Sequence, residues 1–472
     1  MGDINYNDVE KHDCANGTTD VKFVIRPGEE LTEASSLLHN RVGMKFAKIS
    51  SAFKERSITV DFLSILFGIA AWIGINSLFI ELPLLVEKAP EGWNLPSYLT
   101  IMVQLANVGP LFYTLAQKYL KRKLDDAHII YVVLAIGTVS SILVAFLYDK
   151  TAYIGGEEHS VALFVLVFFL AVNCCTSSVL FMPYMGRFKE IYLISYLTGE
   201  GLSGLVPSVV ALIQGVGGKT ECVPLEIENG TSILTPYTSP PLFGSQAFFI
   251  FVFVVMFCSS VAFALLDKLD FCKKQYAKGK VDFGNDYSYD QEKEGSETFV
   301  QISRKQYAFL LILIGVLSFL ANGMFNSILS YSCLPYGSQA YHLSATLSVI
   351  ANPVACFLAV FLPHTSLKSI LTLSGVIAVL TTYCFVTAGM SPNPPLVGTA
   401  AGGVLIIIFW TILNGFVSYV KLCITTVMRS QGGKSLVWVG AITQLGATLG
   451  AVIIFVLINF AKVFTATEEA AC

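Results

Sequence analysis

The chain has 472 residues, of which 54% are hydrophobic and only 13% are charged. About a quarter of the residues in a typical soluble domain are charged, so this composition excludes a soluble protein and indicates a chain that crosses a membrane many times. The formal net charge of −3 identifies no partner, because charge is informative only where it faces water. The expected surroundings are the lipid bilayer, and no nucleic-acid partner is expected.

The chain begins with a polar segment, residues 1–59, that lacks the short apolar core of a cleavable signal peptide. We expect this segment to be a disordered cytosolic tail, since it has too few apolar side chains to build a core. Apolar runs follow along the rest of the chain. A helix needs about 20 mostly apolar residues to cross a hydrocarbon layer about 30 Å thick.

Eleven runs meet this requirement, and we number them spans 1 to 11. The charged segment 268–304 separates the first six from the last five, which predicts an N-terminal bundle over residues 60–267 and a C-terminal bundle over residues 305–462. The predicted fold class is therefore an all-α polytopic membrane protein in a 6+5 arrangement. The predicted spans are residues 60–84, 96–117, 127–147, 161–184, 192–214, 246–267, 306–329, 341–362, 369–389, 400–428 and 435–461.

The basic residues predict the orientation of these spans. If the N-terminus is cytosolic, 25 of the 30 Lys and Arg residues lie on cytosolic segments, and only Lys88, Lys150 and Lys219 lie in outer loops. Cytosolic loops are enriched in Lys and Arg, so this asymmetry supports the assignment. An odd number of spans then places the C-terminal tail, residues 463–472, outside the cell.

The outer segments carry two candidate covalent modifications. Asn229 lies in a glycosylation sequon of the large outer loop, residues 215–245. Of the 11 cysteines, this topology exposes only Cys222, Cys333 and Cys472 to the oxidising exterior. We predict a disulfide between Cys333 and Cys472, because the short tail after span 11 is a free tether. Cys222, in the other half, is the remaining alternative.

Two pairs of spans resemble each other and indicate an internal repeat. INSLF at 75–79 and SYLTIMVQLANVGP at 97–110 correspond to FNSIL at 325–329 and AYHLSATLSVIANP at 340–353. Each pair carries Asn-Ser near the outer end of one span and Ala-Asn before a proline deep in the next. Chance similarity between Ser- and Ala-rich helices is the alternative. Repeated halves of transporters usually bind their ligand at the seam near mid-membrane.

Polar side chains inside spans mark the candidate ligand site, because they are costly in lipid and normally face protein or a water-filled cavity. Hydrogen bonding between helices is the alternative for each residue taken alone. Pro110, Pro207 and Pro353 are expected to introduce the helix breaks that moving bundles use. The candidate substrate-binding residues are Trp72, Asn76, Glu81, Gln104, Asn107, Asn322, Asn326, Tyr341, Asn352 and Asn414.

Three charged residues lie within or at the end of spans. Glu81 lies about 30 Å from the start of span 1 at 1.5 Å per residue, which predicts a position at the outer entrance. Glu200 and Lys421 lie roughly 13 and 12 Å from the inner surface on the same scale. We hypothesise that they gate the carrier, pairing in its outward-facing state and separating in its inward-facing state. The alternatives are a solvated Glu81 and two charges that are each satisfied within their own bundle.

Longer segments resemble one known family. They are ELPLLVEKAPEGWNLPSYL at 81–99, CTSSVLFMPYM at 175–185, GEGLSGLVPSVVALIQG at 199–215, NGMFNSILSYSCLPYGSQAYHLSATLSVIANP at 322–353 and SYVKL at 418–422. In these segments the chain is similar to the eukaryotic riboflavin transporters. The resemblance implies an eleven-helix carrier related to equilibrative nucleoside transporters and similar to the major facilitator fold. It also implies riboflavin uptake at the plasma membrane without sodium and without a cofactor, and a role for Glu81 at the outer entrance, bonded to ligand or to Tyr331, Tyr341 or His342 of the opposite half.

Other functions use similar residues. A nucleoside would suit the same amides and aromatic rings, and Glu81 or Glu200 would suit proton coupling. A receptor or scaffold needs neither buried amides nor intramembrane charges. An enzyme is disfavoured because the six histidines form no catalytic motif. Oligomeric state is not encoded in any recognisable pattern.

Overall fold

The computed structural model describes residues 56–119, 125–215, 220–226, 232–238, 240–276, 302–361, 366–429, 431 and 433–465. The predictions for Asn229 and Cys472, and for most of the N-terminal tail and the charged linker, lie outside the described residues.

The described residues are nearly all helical. Two short antiparallel hairpins interrupt the helices, one pairing Ala152 with His159 and the other pairing Thr220 with Thr238. The strands are β1 (Ala152–Ile154), β2 (Glu157–His159), β3 (Thr220–Glu226) and β4 (Ser232–Thr238). The helices of the first half are α1 (Ile58–Ile69), α2 (Ile73–Ile80), α3 (Leu82–Val86), α4 (Leu95–Leu105), α5 (Val108–Tyr119), α6 (Asp126–Leu147), α7 (Val161–Met185), α8 (Glu190–Gln214), α9 (Ser245–Lys268) and α10 (Asp270–Lys273).

The second half begins with α11 and continues through a six-residue π-helical segment, Phe319–Met324, into α12. Short 3₁₀ turns at Gly92–Asn94 and Leu334–Tyr336 precede α4 and α13. The helices of this half are α11 (Arg304–Ser318), α12 (Phe325–Cys333), α13 (Ser338–Phe361), α14 (Leu367–Gly389), α15 (Ala400–Arg429) and α16 (Gly433–Asn459).

The membrane fold class predicted from the sequence is confirmed. In the described part of the chain, ten helical stretches are long and apolar enough to cross a bilayer, and α1 with α2 makes an eleventh if this pair, bent by 52°, is counted as one span. These stretches coincide with the predicted spans to within a few residues. The count of eleven in a 6+5 division stays a prediction.

Only one of the three prolines expected to break a helix adjoins a break. Pro207 and Pro353 lie inside the continuous helices α8 and α13, as prolines in membrane helices often do when neighbouring groups satisfy the freed carbonyls. Span 1 instead breaks just before Trp72, and span 7 passes through its π segment, neither of which contains a proline. Only Pro110, near the junction of α4 and α5, adjoins a break. Asn76 and its repeat counterpart in α12 both lie near the start of the helix that follows an irregular segment.

Contacts between the halves follow the predicted repeat. Helix α4, in span 2, packs against α12 and α16 of the second half. Helix α13, in span 8, packs against α2 and α8 of the first half. The second span of each half therefore contacts the first and fifth spans of the other. A two-fold relation between the halves would exchange these two sets of contacts, so the packing supports a parallel repeat.

Glycines allow the irregular spans to pack closely within each half. A Cβ added at Gly68 would overlap the carbonyl oxygen of Tyr196, and one at Gly199 would overlap that of Ile65, so α1 and α8 touch backbone to backbone. In the second half, a Cβ at Gly450 of α16 would overlap the carbonyl oxygen of Phe319. Small residues permit such close approach in membranes, where apolar surface alone does not drive association.

Candidate functional site

The first half holds three predicted site residues close together. The Nδ2 of Asn76 on α2 donates to the Oγ of Ser203 on α8 at 3.3 Å. The Ser203 hydroxyl donates to the carbonyl oxygen of Glu200 at 2.6 Å. The side chain of Trp72 lies beside the Glu200 carboxylate. The break in span 1 therefore places an indole ring next to an intramembrane carboxylate.

The second half holds its intramembrane cation in a comparable way. The Nζ of Lys421 on α15 lies 3.3 Å from the Oδ1 of Asn322 in the π segment. Asn322 lies four residues before Asn326, as Trp72 lies four residues before Asn76. Each half thus has its charged residue beside the side chain at the same position of its irregular span.

Glu200 and Lys421 do not pair in this conformation. The ion pairs found among the described residues do not join them, and each charge has a partner within its own half. The hypothesis that they pair in the outward-facing state therefore stays a prediction about another conformation.

Two further predicted residues lie at the contact between the halves. Gln104 on α4 accepts hydrogen bonds through Oε1 from Asn107, at 3.2 Å, and from Thr448 on α16, at 3.5 Å. Its amide group therefore connects span 2 to span 11 near mid-membrane.

The remaining predicted amides lie on α12, α13 and α15. Asn326 is half-buried. Asn352 is exposed although it lies within a predicted span, and it accepts from the thiol of Cys356 at 3.7 Å. Asn414 donates to the carbonyl oxygen of Trp410 within its own helix at 3.0 Å. An exposed amide at this depth indicates a water-accessible gap, since lipid would not solvate it.

Glu81 contacts other residues than the resemblance implies. Its side chain is fully buried, and its Oε1 accepts from the Nε2 of Gln214 on α8 at 3.0 Å. The same Gln214 amide donates to the carbonyl oxygen of Phe243 at 2.9 Å. The described contacts of Glu81 all lie in the first half, whereas the resemblance implied bonds to Tyr331, Tyr341 or His342 of the second. Helix spacing gives its depth along span 1 but not the direction in which the carboxylate points.

Tyr341 instead belongs to a contact that joins the halves at the predicted extracellular end. Its ring meets the ring of Trp93 edge-on, with centroids 5.1 Å apart. Beside it, the hydroxyl of Tyr331 donates to the Oδ1 of Asn94 at 2.7 Å. Sequence reasoning missed Trp93 and Asn94, although both lie in the Glu81–Leu99 segment that carries the family resemblance.

A second contact between the halves lies at the same end. The Nδ2 of Asn459, at the end of α16, donates to the Oγ of Ser97 at 2.9 Å. The ring of Tyr98 meets that of Phe455 edge-on at 5.0 Å. The two contacts close the bundle at the predicted extracellular end, above the amides at the seam.

Only one of the two cysteines of the predicted disulfide lies within the described residues. Cys333 is fully buried at the end of α12. The chain after α16 returns towards it, because Phe464 packs against Tyr331 with ring centroids 5.5 Å apart. Cys472 lies outside the described residues, so the pairing stays a prediction.

Comparison with solved structures identifies the fold. A proton-dependent oligopeptide transporter matches with a TM-score of 0.56 and 14% identity over 86% of this chain and 92% of that one. A D-xylose–proton symporter matches with a TM-score of 0.54 and 12% identity, over 85% of this chain and 91% of that one. The nucleoside transporter NupG matches with a TM-score of 0.51 and 11% identity, over 85% of this chain and 89% of that one. At these identities the likeness establishes the fold alone, which is that of membrane carriers.

Sequence comparison identifies the family. The model of solute carrier family 52, riboflavin transporter, matches residues 56–466. Riboflavin transporter member 3-B of Danio rerio is 41% identical over 86% of this chain and 97% of its own length. Members 3 and 2 of Homo sapiens are 37% and 35% identical, over 85% and 88% of this chain and 96% and 97% of theirs. The chain therefore belongs to the solute carrier family 52 of riboflavin transporters, a family of carriers and not of enzymes.

Proposed function

We propose that this protein carries riboflavin across the plasma membrane by alternating access, without sodium. The observation that carries the proposal is the match of the riboflavin transporter family over residues 56–466, which includes both irregular spans and the seam between the halves. In this proposal the N-terminus is cytosolic, the C-terminus is extracellular and Asn229 is glycosylated.

The chemistry of the seam supports this substrate. Riboflavin is uncharged at neutral pH and combines a flat tricyclic ring, an imide edge that donates and accepts, and a chain of hydroxyls. Amide side chains donate and accept at once, and an indole ring offers a flat apolar face. Trp72, Asn76, Gln104, Asn322 and Asn352 provide these groups around the seam without forming a strong ion pair to the ligand.

We infer that the conformation described here faces the cytosol. The contacts of Tyr331 with Asn94 and of Asn459 with Ser97 join the halves at the opposite end. The exposed Asn352 lies nearer the predicted cytosolic end of α13. In the outward-facing state of an alternating-access carrier, these contacts are broken and the two halves meet at the cytosolic end of the seam.

Uptake of radiolabelled riboflavin by cells that express the chain tests the proposal. We expect uptake that excess unlabelled riboflavin abolishes, that excess uridine leaves intact, and that persists when choline replaces sodium. Uptake that uridine abolishes would favour the nucleoside-type alternative. Surface-expressed protein with no uptake would favour a receptor or scaffold.

Two additions sharpen this experiment. Measurement at two pH values separates facilitated from proton-coupled transport, since only proton-coupled uptake concentrates riboflavin in response to an inward proton gradient. Asn352→Ala at the seam is expected to lower uptake strongly. Asn393→Ala, in the exposed loop before α15, is the matched control and is expected to leave uptake unchanged.

A further inference from the structure

An apolar groove opens on the outer surface of the first half, between α4 and α7 and beside the β1–β2 hairpin. Its volume is about 490 Å³. Ile154 of the hairpin forms one edge, and His159 lies at the rim. The helix side chains that line this α4–α7 groove include Tyr98, Met102, Phe164, Val165, Phe168 and Phe169.

The α4–α7 groove faces the bilayer and not the seam. Val165 and Phe169 on α7 are 49% and 40% exposed, although α7 is apolar enough to span a membrane. The halves are closed against each other at this end, so these side chains are exposed towards lipid. From Val161, the first residue of α7, to Phe169 the groove descends about 12 Å at 1.5 Å per residue. It therefore extends from the membrane interface into the hydrocarbon.

One wall of the groove is rigid. The rings of Tyr98 and Phe164 stack with centroids 5.4 Å apart and planes within 7° of parallel. Two stacked rings fixed at the ends of different helices form a rigid apolar surface. A rigid, flat ligand loses less conformational entropy against such a surface than a flexible acyl chain does.

The rim of the groove carries few polar groups, and its charge is negative. The Nδ1 of His159 lies 3.2 Å from Glu91, which leaves Nε2 as the second hydrogen-bonding atom of the imidazole. The Glu91 carboxylate is nearly buried and also accepts from the backbone N–H and the hydroxyl of Ser160, so its position is fixed. Glu157 and Glu158 are exposed beside it. This rim disfavours an anionic headgroup and suits an uncharged ligand with a single hydroxyl.

We propose that the α4–α7 groove binds a membrane sterol. The fused rings lie along Tyr98 and Phe164, and the hydroxyl lies at the interface near His159. Because Tyr98 also packs against Phe455 of the second half, a bound sterol supports a contact that joins the halves. Sterol binding is therefore expected to stabilise the conformation that is closed at this end.

A photoactivatable cholesterol carrying a diazirine tests the proposal. The full-length protein is purified into nanodiscs of phosphatidylcholine that contain this probe, illuminated, digested and mapped by mass spectrometry. We expect labelled peptides from residues 98–102 and 154–169, and competition by unlabelled cholesterol. A phosphatidylcholine with a diazirine in its acyl chain, used in parallel, is expected to label these peptides only weakly.

A matched pair of variants controls the experiment. Val165→Trp fills the groove, whereas Val254→Trp places the same side chain on α9, and both valines are 49% exposed. Val165→Trp is expected to lower labelling by cholesterol about tenfold, which corresponds to about 1.4 kcal/mol of binding free energy. It is also expected to remove the cholesterol-dependent rise in melting temperature, while Val254→Trp keeps both.

Three results would overturn the proposal. The first is sterol labelling that maps outside these peptides. The second is labelling that Val165→Trp and Val254→Trp change equally. The third is equal labelling of these peptides by the acyl-chain probe, which would assign the groove to phospholipid. If Val165→Trp fails to fold, Phe169→Ala is used in its place. This variant removes part of the groove wall, and the same loss of cholesterol labelling is expected.

Discussion

The two halves share a scaffold but differ in the charge that the scaffold holds. In each half an irregular first span packs through glycines against the fifth span, as with Gly199 against Ile65 and Gly450 against Phe319. In the first half the irregular span lies beside a carboxylate, and in the second it bonds an ammonium group. The two halves therefore share the close backbone contact at glycines, but they differ in the charge of the side chain held in the membrane.

This difference separates two requirements of a carrier. Rocking of two halves needs rigid bundles of similar shape, and backbone contact at glycines provides them without specific side chains. Discrimination of a ligand and control of the two states need different groups on the two sides. A repeat therefore keeps its glycines in corresponding places while its polar residues diverge.

The largest expected effect is on the shared scaffold. Gly199→Ala and Gly450→Ala each force a methyl group into a carbonyl oxygen of the neighbouring helix, and overpacking of this kind costs about 1–3 kcal/mol. We expect both variants to lower the melting temperature of the purified protein and its surface expression by similar amounts. Gly375→Ala on α14 and Gly440→Ala on α16 are the controls, since nothing lies within 4 Å of a Cβ at either position. Unequal losses, with one variant like its control, would show that the halves do not share this contact.

The next largest effect is expected for the two intramembrane charges, Glu200 and Lys421. Glu200→Lys and Lys421→Glu are each expected to abolish riboflavin uptake, because each replaces an intramembrane charge by one of opposite sign beside a partner suited to the original charge, and an unsatisfied charge within the membrane costs about 3 kcal/mol or more. The double exchange is expected to restore part of the uptake if the two charges meet in the outward-facing state. A double variant that reaches the cell surface but shows no uptake would exclude a direct pair between Glu200 and Lys421. Each charge would then act only through the partner it has in this structure.

A smaller effect is expected at the predicted extracellular end. Tyr331→Phe removes the hydrogen bond to Asn94, which is worth about 1 kcal/mol, or roughly a fivefold shift between states. Distances between spin labels at Lys150 and Asn393 should show more of the open state. Tyr153→Phe, on the exposed hairpin, controls for loss of a hydroxyl at the same end. A distance distribution unchanged by Tyr331→Phe would show that this contact does not hold the end closed.

The smallest effect is expected at Glu81. Glu81→Gln keeps an acceptor for Gln214 but removes the charge, so we expect roughly a threefold loss of riboflavin affinity, within the range of one altered hydrogen bond. Concentration-dependent uptake measures it, with Glu157→Gln in the exposed hairpin as control. Unchanged affinity and rate in surface-expressed protein would end any role for Glu81 at the outer entrance.

The sequence predicts the spans well because hydrophobic length is a local property. Among the amides that it singles out, Gln104 bonds across the seam to Thr448, whereas Asn414 bonds within its own helix, because an intrahelical carbonyl is the alternative partner for any amide in a span. The sequence does not predict the break before Trp72 or the π segment after Ser318, because both lie in uninterrupted apolar runs without proline. Nor does it predict that Glu81 turns towards Gln214, since that partner lies far along the chain and only the packing of α8 against span 1 brings it close.

Counterflow in proteoliposomes tests the central claim most directly. Purified protein is reconstituted without other transporters, the vesicles are loaded with unlabelled riboflavin, and entry of a trace of labelled riboflavin is followed. We expect labelled riboflavin to accumulate transiently above its outside concentration, with no accumulation when the vesicles are loaded with uridine, because a carrier that alternates between two faces exchanges its own substrate. Entry that internal riboflavin does not accelerate, or that internal uridine accelerates equally, would contradict a riboflavin carrier of alternating access.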